Sequence, residues 1–99
     1  MIERRIVRGL IDHLSDRGFE ITKVDEGEEV ITSDPVEAME AIFSVDDCCL
    51  YVRKPMFKSH WIQIVLGNGI DCIVDYSYMR DDGDGFDKAM QDFEEEKFV

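Results

Sequence analysis

Residues 61–78, Trp61-Ile-Gln-Ile-Val-Leu-Gly-Asn-Gly-Ile-Asp-Cys-Ile-Val-Asp-Tyr-Ser-Tyr78, decide the fold. Two aliphatic, β-branched runs flank Gly67-Asn68-Gly69, which is a hairpin signal. A two-residue loop, Asn68-Gly69, pairs Leu66 with Asp71 and Ile62 with Asp75. That sets carboxylates on the isoleucine face, where an unpaired charge is costly. A three-residue loop pairs Leu66 with Ile70, Ile64 with Cys72 and Ile62 with Val74. One face is then wholly apolar, and the other carries Trp61, Gln63, Val65, Asp71, Ile73 and Asp75. Register follows the buried face, so the sequence predicts a type I turn closed by Gly69 in the left-handed region. The hairpin is expected at the centre of the only sheet. The two glycines read as turn residues rather than a phosphate loop, because no basic residue or helix start follows them.

Outward from the hairpin, residues 2–17 read as a helix. Ile2, Ile6, Leu10 and Leu14 recur every fourth position, widened by Val7 and Ile11. Gly18 suits the C-terminal cap. Gly9 is expected to permit close approach to the sheet, and His13 to be solvated. Residues 19–24 and 29–32 alternate as a short hairpin around an acidic turn, Asp25-Glu26-Gly27-Glu28. Asp34-Pro35 with Glu37 opens a second helix, whose stripe is Val36, Met39, Ile42 and Phe43. Residues 48–53 form a third strand, with Cys48, Leu50 and Val52 on one face. Pro55 ends it. Phe86, Ala89, Met90 and Phe93 mark a final helix, with Phe98 docking its end. The expected fold is one α+β domain over residues 1–99, in the order α-ββ-α-βββ-α. Its sheet is mostly antiparallel, with the helices on one face.

The 99 residues carry a formal charge of −12. Residues 19–47 hold ten acids against one base, and residues 81–99 hold eight against two. Residues 48–80 are slightly basic, with four bases and two acids. Such a balance disfavours direct nucleic-acid binding, since phosphates need Lys and Arg neighbours. It suits a basic protein partner. The candidate interaction surface is Glu26, Glu28, Glu29, Glu37, Glu40, Asp81, Asp82 and Asp84, together with Met56, Phe57 and Trp61. The basic loop 54–59, which carries Met56 and Phe57, reads either as a partner-binding loop or as a plain connection. No stretch is apolar and long enough to span a bilayer, and no n-region, h-region and cleavage site is found, so a soluble intracellular protein is expected. Three cysteines make no disulfide framework, which suits a reducing cytoplasm.

No motif identifies a reaction, a cofactor or a metal site. From Asp82, the Asp81–Asp87 run fails the calcium-loop pattern, which wants glycine sixth and glutamate twelfth. Adjacent Cys48 and Cys49 point to opposite sides of a strand and cannot easily share a zinc. Ser59-His60 beside Asp75 lacks a strained nucleophile turn and oxyanion donors. Asp71 and Asp75, on one strand face, offer a carboxylate pair for a metal-assisted hydrolase with His60. Alternating polar residues on a solvated face explain them as well.

The run Trp61 to Ser77, with its tryptophan, aliphatic strand, Gly67-Asn68 and Asp71-Cys72-Ile73-Val74-Asp75-Tyr76, resembles a family of small acidic proteins of tailed phages and prophages. Their pattern is Trp, aliphatic, Gly-Asn, Asp-Val-Ile-x-Asp-Tyr, behind a similar amphipathic helix. The chain departs from it at Cys72, usually valine, and in residues 81–99. The resemblance implies a phage or prophage origin and a host-cytoplasm setting, and it carries over no functional residue. The functions expected are a non-enzymatic accessory protein binding a basic host or phage protein, with nucleic-acid charge mimicry as its sharper form; a self-assembling structural protein; and a metal-assisted hydrolase.

Overall fold

The computed structural model describes residues 2–77 and 83–96. It contains helices α1 (Ile2–Asp16), α2 (Pro35–Ile42) and α3 (Phe86–Glu96). Its strands are β1 (Glu20–Asp25), β2 (Glu29–Ile31), β3 (Asp47–Arg53), β4 (His60–Val65) and β5 (Ile73–Tyr76). The chain order is α1-β1-β2-α2-β3-β4-β5-α3. The strands form one antiparallel sheet ordered β2-β1-β3-β4-β5. This is the expected α+β architecture.

Alternation sets inside from outside. Ile21, Val24, Cys48, Leu50, Val52, Ile62 and Ile64 are buried on one side of the sheet. They meet Ile6, Val7, Leu10, Ile11 and Leu14 of α1 and the apolar stripes of α2 and α3 in one core. Their neighbours Lys23, Cys49, Tyr51, Trp61 and Gln63 lie on the other side and are only half-buried. An antiparallel sheet tolerates one solvated face.

Local signals set the helix ends. Gly18 (φ +89) follows α1, with Gly18 N–H donating to Ser15 O and Phe19 N–H to Leu14 O. These bonds form a Schellman cap. Asp34 caps α2 by accepting from Val36 N–H at 3.0 Å, and Pro35 fills the first helical position. Met39 and Ile42 of the expected α2 stripe are buried and Phe43 packs partly on the core, but Val36 is exposed and does not join them. Ala38 and Ala41 are buried as well. Ile2, at the frayed start of α1, is exposed too.

The central hairpin needs two corrections. It lies at an edge: β5 is the last strand and β3 the middle one. Its connection is also longer than three residues. Gly67 and Gly69 both take positive φ, +100 and +64, as expected for Gly69. The chain then makes a single 3-10 turn, Gly69–Asp71, before β5 begins. Ile62 therefore faces Tyr76, not Val74, and Gln63 faces Asp75. A bulge opposite Ile64 turns Ile73 inward and Val74 outward. Ile70 is exposed rather than part of an apolar face. Asp71 and Asp75 remain exposed, through a register different from the expected one.

A distant residue explains the long loop. Glu3 Oε2 accepts from Gly67 N–H at 2.7 Å and from Gly69 N–H at 3.1 Å. Two glycine amides aimed at one anion make a nest, and here the anion is the protein's own carboxylate. Glu3→Ala is expected to cost about 1–2 kcal/mol, since bonds to a charged acceptor exceed neutral ones. A lower urea midpoint with an unchanged slope would show it; an unchanged midpoint would reduce the clasp to a surface contact.

Gly9 also meets a different neighbour from the one expected. A Cβ there would sit 3.7 Å from the Phe93 ring, an ordinary contact, so Gly9 lies against α3 rather than the sheet and the packing does not require a glycine. His13 is buried beside it, not solvated. Its Nε2 lies 2.7 Å from Ala89 O, which can only accept, so Nε2–H donates. Arg17 Nη1 lies 3.1 Å from Nδ1, and the ring meets Phe93 edge-on.

Candidate interaction site

The acidic residues of the first block gather around β1, β2 and α2. Gly27 (φ +109) reverses the chain between Asp25 and Glu29, which face each other across β1 and β2. Glu28 and Glu29 are exposed, and Glu26 is half-buried because its carboxylate accepts from Ser44 Oγ at 2.6 Å. That bond ties the turn to the segment after α2. Asp46 and Asp47 lie at the same end of the sheet, since Asp25 faces Cys49 across β1 and β3. Glu37 and Glu40 are exposed on α2, opposite Met39 and Ala38. One base enters the group: Lys23 Nζ bonds Glu29 Oε1 at 2.7 Å and sits over the Tyr51 ring. That carboxylate holds the Lys23 ammonium above its usual range.

Among the described residues, the acids of α3 do not join the first block. The acids of α3 lie on the far side of α1, which packs against both α2 and α3. Arg5 and Arg8 of α1 are exposed between them. Within α3, Asp92 bonds Lys88 at 2.8 Å, and this holds its carboxyl below the usual range. Asp81 and Asp82 lie outside the described residues.

Asp84 is not a surface acid. It is buried, and its Oδ2 lies 2.6 Å from Nε2 of His60, itself 1 % exposed. Its Oδ1 accepts from Phe86 N–H at 3.1 Å and so caps α3. An ionised Asp84 accepts from Nε2–H, which leaves Nδ1 to accept the Ser77 hydroxyl 3.0 Å away. Ser77 Oγ in turn accepts from Trp61 N–H at 3.3 Å. The order Ser77-His60-Asp84 looks like a hydrolytic relay, but its setting is that of a core polar chain. The His60 ring stacks flat on Phe86, with centroids 3.9 Å apart and planes 7° apart. Sequence inspection missed the chain because its partners are 17 and 24 residues away from His60.

The residues considered for hydrolysis are not brought together. His60 shares the buried side with Ile62, whereas Asp75 faces Gln63 on the other side. Asp71 sits in the 3-10 turn. Among the described residues, no three His, Cys, Asp or Glu side chains converge to hold a metal ion. Cys48 and Cys72 are buried and Cys49 is half-buried. Burial pushes the Cys48 thiol up to about 12, with nearby acids adding to it. This is the signature of a structural thiol, not a nucleophile.

The apolar candidates occupy two places. Trp61 lies half-buried on the uncovered sheet face, beside its cross-strand neighbour Tyr51. Met56 and Phe57 lie at the tip of the β3–β4 loop, where Phe57 N–H donates to Lys54 O. Met56 is 99 % exposed at φ +75, the position of a type II turn that favours glycine. A strained and fully exposed methionine gives the fold nothing in return. Met56→Gly is therefore expected to raise stability by about 1 kcal/mol. A higher melting temperature checks this; a lower one would show that the methionine packs in solution.

Among the described residues, no helix is long and apolar enough to cross a membrane. No protein-family model, no curated protein and no solved structure matches the chain.

Proposed function

We propose that this chain is a non-enzymatic accessory protein that binds a basic protein through the acids around β1, β2 and α2. One observation carries the reading. Glu28, Glu29, Glu37, Glu40, Asp46 and Asp47 are all exposed on one part of the fold, with Lys23 among them and Arg4 over the Phe43 ring at the end of α2. Such a patch steers a cationic partner and is sensitive to salt. The resemblance of residues 61–77 to small phage and prophage proteins supports a host or phage protein as partner and the host cytoplasm as setting.

The charge-mimic form of the reading requires one continuous acidic face. Arg5 and the Arg8–Asp12 ion pair are exposed on α1, which packs against both α2 and α3, and this favours binding over mimicry. A second reading, self-assembly through Met56, Phe57 and Trp61, is favoured by the strain and exposure of Met56. Sedimentation at several concentrations separates the two.

The test is affinity capture at low and high salt, with the triple variant Glu26→Lys, Glu28→Lys, Glu29→Lys beside the parent chain. The proposal expects a basic protein whose capture falls at least tenfold in the variant and also falls at high salt. Capture that ignores both salt and the variant would overturn it.

A further inference from the structure

Of the two edges of the sheet, β2 and β5, the β5 edge adds a specific docking mode to that reading, on which this inference rests. A groove of about 500 Å³ runs beside β5, lined by Ile73, Val74, Asp75 and Tyr76 and by Glu94 of α3. Every residue of β5 borders it. No described strand pairs with the outer side of β5. An unpaired edge is a template for another strand, and proteins usually blunt it with Lys, Pro or a cover. Here neither Lys nor Pro occurs between Ile73 and Tyr76. Val74 is 43 % exposed, an apolar contact facing out.

The edge is short, four residues, and bulged at Val74, both of which limit pairing, and it carries one side-chain guard. Ser77 N–H donates to Trp61 O, so the neighbouring Tyr76 N–H points away from β4. There it donates to Asp75 Oδ1 at 2.9 Å. The guard is an exposed carboxylate, which a cation can draw aside.

Charge selects the occupant. Asp75 faces Gln63 and lies on the uncovered side of the sheet, while Tyr76 faces Ile62 on the helix side, near Glu94. A strand added beside β5 sends successive side chains to these two sides. Adjacent cationic residues would each meet a carboxylate. A second copy of this chain is disfavoured as occupant, since two such edges would oppose Asp75 and Glu94 to their like. The Tyr76 hydroxyl fits this acidic setting. Burial raises it first, then the charges of Asp87, Glu94 and Asp75.

We infer that the β5 edge and the groove beside it accept an extended, lysine- or arginine-rich segment of the partner as a sixth strand. Main-chain bonds to β5 would supply affinity, and the paired carboxylates would supply selection.

The probe is a labelled heptapeptide of valines and adjacent lysines. Its control has the same sequence N-methylated at alternate residues, which keeps the charge and removes strand pairing. Binding is read by anisotropy, and its location by amide chemical shifts. The parent peptide is expected to bind at least tenfold more tightly than the methylated one and to shift Val74 and Tyr76. Asp75→Lys, at an exposed position, is expected to weaken it at least tenfold. Equal binding of the two peptides, with shifts at the β1–β2 turn, would overturn strand addition and leave the acidic reading standing. No binding of the parent peptide would also overturn strand addition, while the capture experiment above judges the acidic reading by itself.

Discussion

Asp84→Ala is expected to lower folding stability by about 3–5 kcal/mol, the usual cost of breaking a buried pair by removing one partner. Two losses combine. His60 Nε2, 2.6 Å from the carboxylate, is left in a buried site with no acceptor at that position. The first turn of α3 loses the oxygen that accepts from Phe86 N–H. For a chain of this size the fall in melting temperature is on the order of 15–30 °C. Asp84→Asn is expected to cost less, because an amide oxygen can serve one of the two donors. Thermal unfolding of both variants checks the ordering. If Asp84→Ala melted within a few degrees of the parent, the His60 pair would hold nothing together.

Phe86→Ala is expected to cost about 3–5 kcal/mol, the range for removing a fully buried phenylalanine. Phe86 lies flat beneath His60 and meets Phe19 and Tyr76 edge-on, at 5.8 and 6.0 Å between centroids. The ring thus joins α3 to the turn between α1 and β1 and to both members of the edge hairpin. Phe86→Leu should lose less, because it leaves a smaller void. Since Phe86 and the His60–Asp84 pair touch, the two alanine losses should not add. A double variant should cost at least 0.5 kcal/mol less than the sum, read from denaturant midpoints. Simple additivity would show that the stack and the pair act separately.

Local chemistry made much of the fold legible. Asp34-Pro35 opens a helix because the cap and the fixed φ both act within a few residues. Gly18 ends α1 for a similar reason, and the alternation of Cys48, Leu50 and Val52 needs only the pleat. The hairpin register was not legible. Its loop is held by Glu3, 64 residues from Gly67, and turn rules see only neighbours. His13 and Asp84 were misplaced for the same reason. A charged or polar side chain read alone defaults to solvent. The acceptor that lets His13 be buried, Ala89 O, is 76 residues away. On the interaction site, the sequence located the first acidic block, but it could not show α1 and its arginines lying between that block and α3.

The ties of α1 to late parts of the chain also bear on how the molecule is made. Its first turn is fastened to Gly67 and Gly69, and its last turns to Ala89 and Phe93. A nascent polypeptide therefore presents α1 before the residues that fasten its first and last turns are translated. Contacts so far apart along the chain close slowly. Helix α1 thus leaves the ribosome before the segments it is fastened to, and in that interval its apolar stripe is a surface that a chaperone would meet.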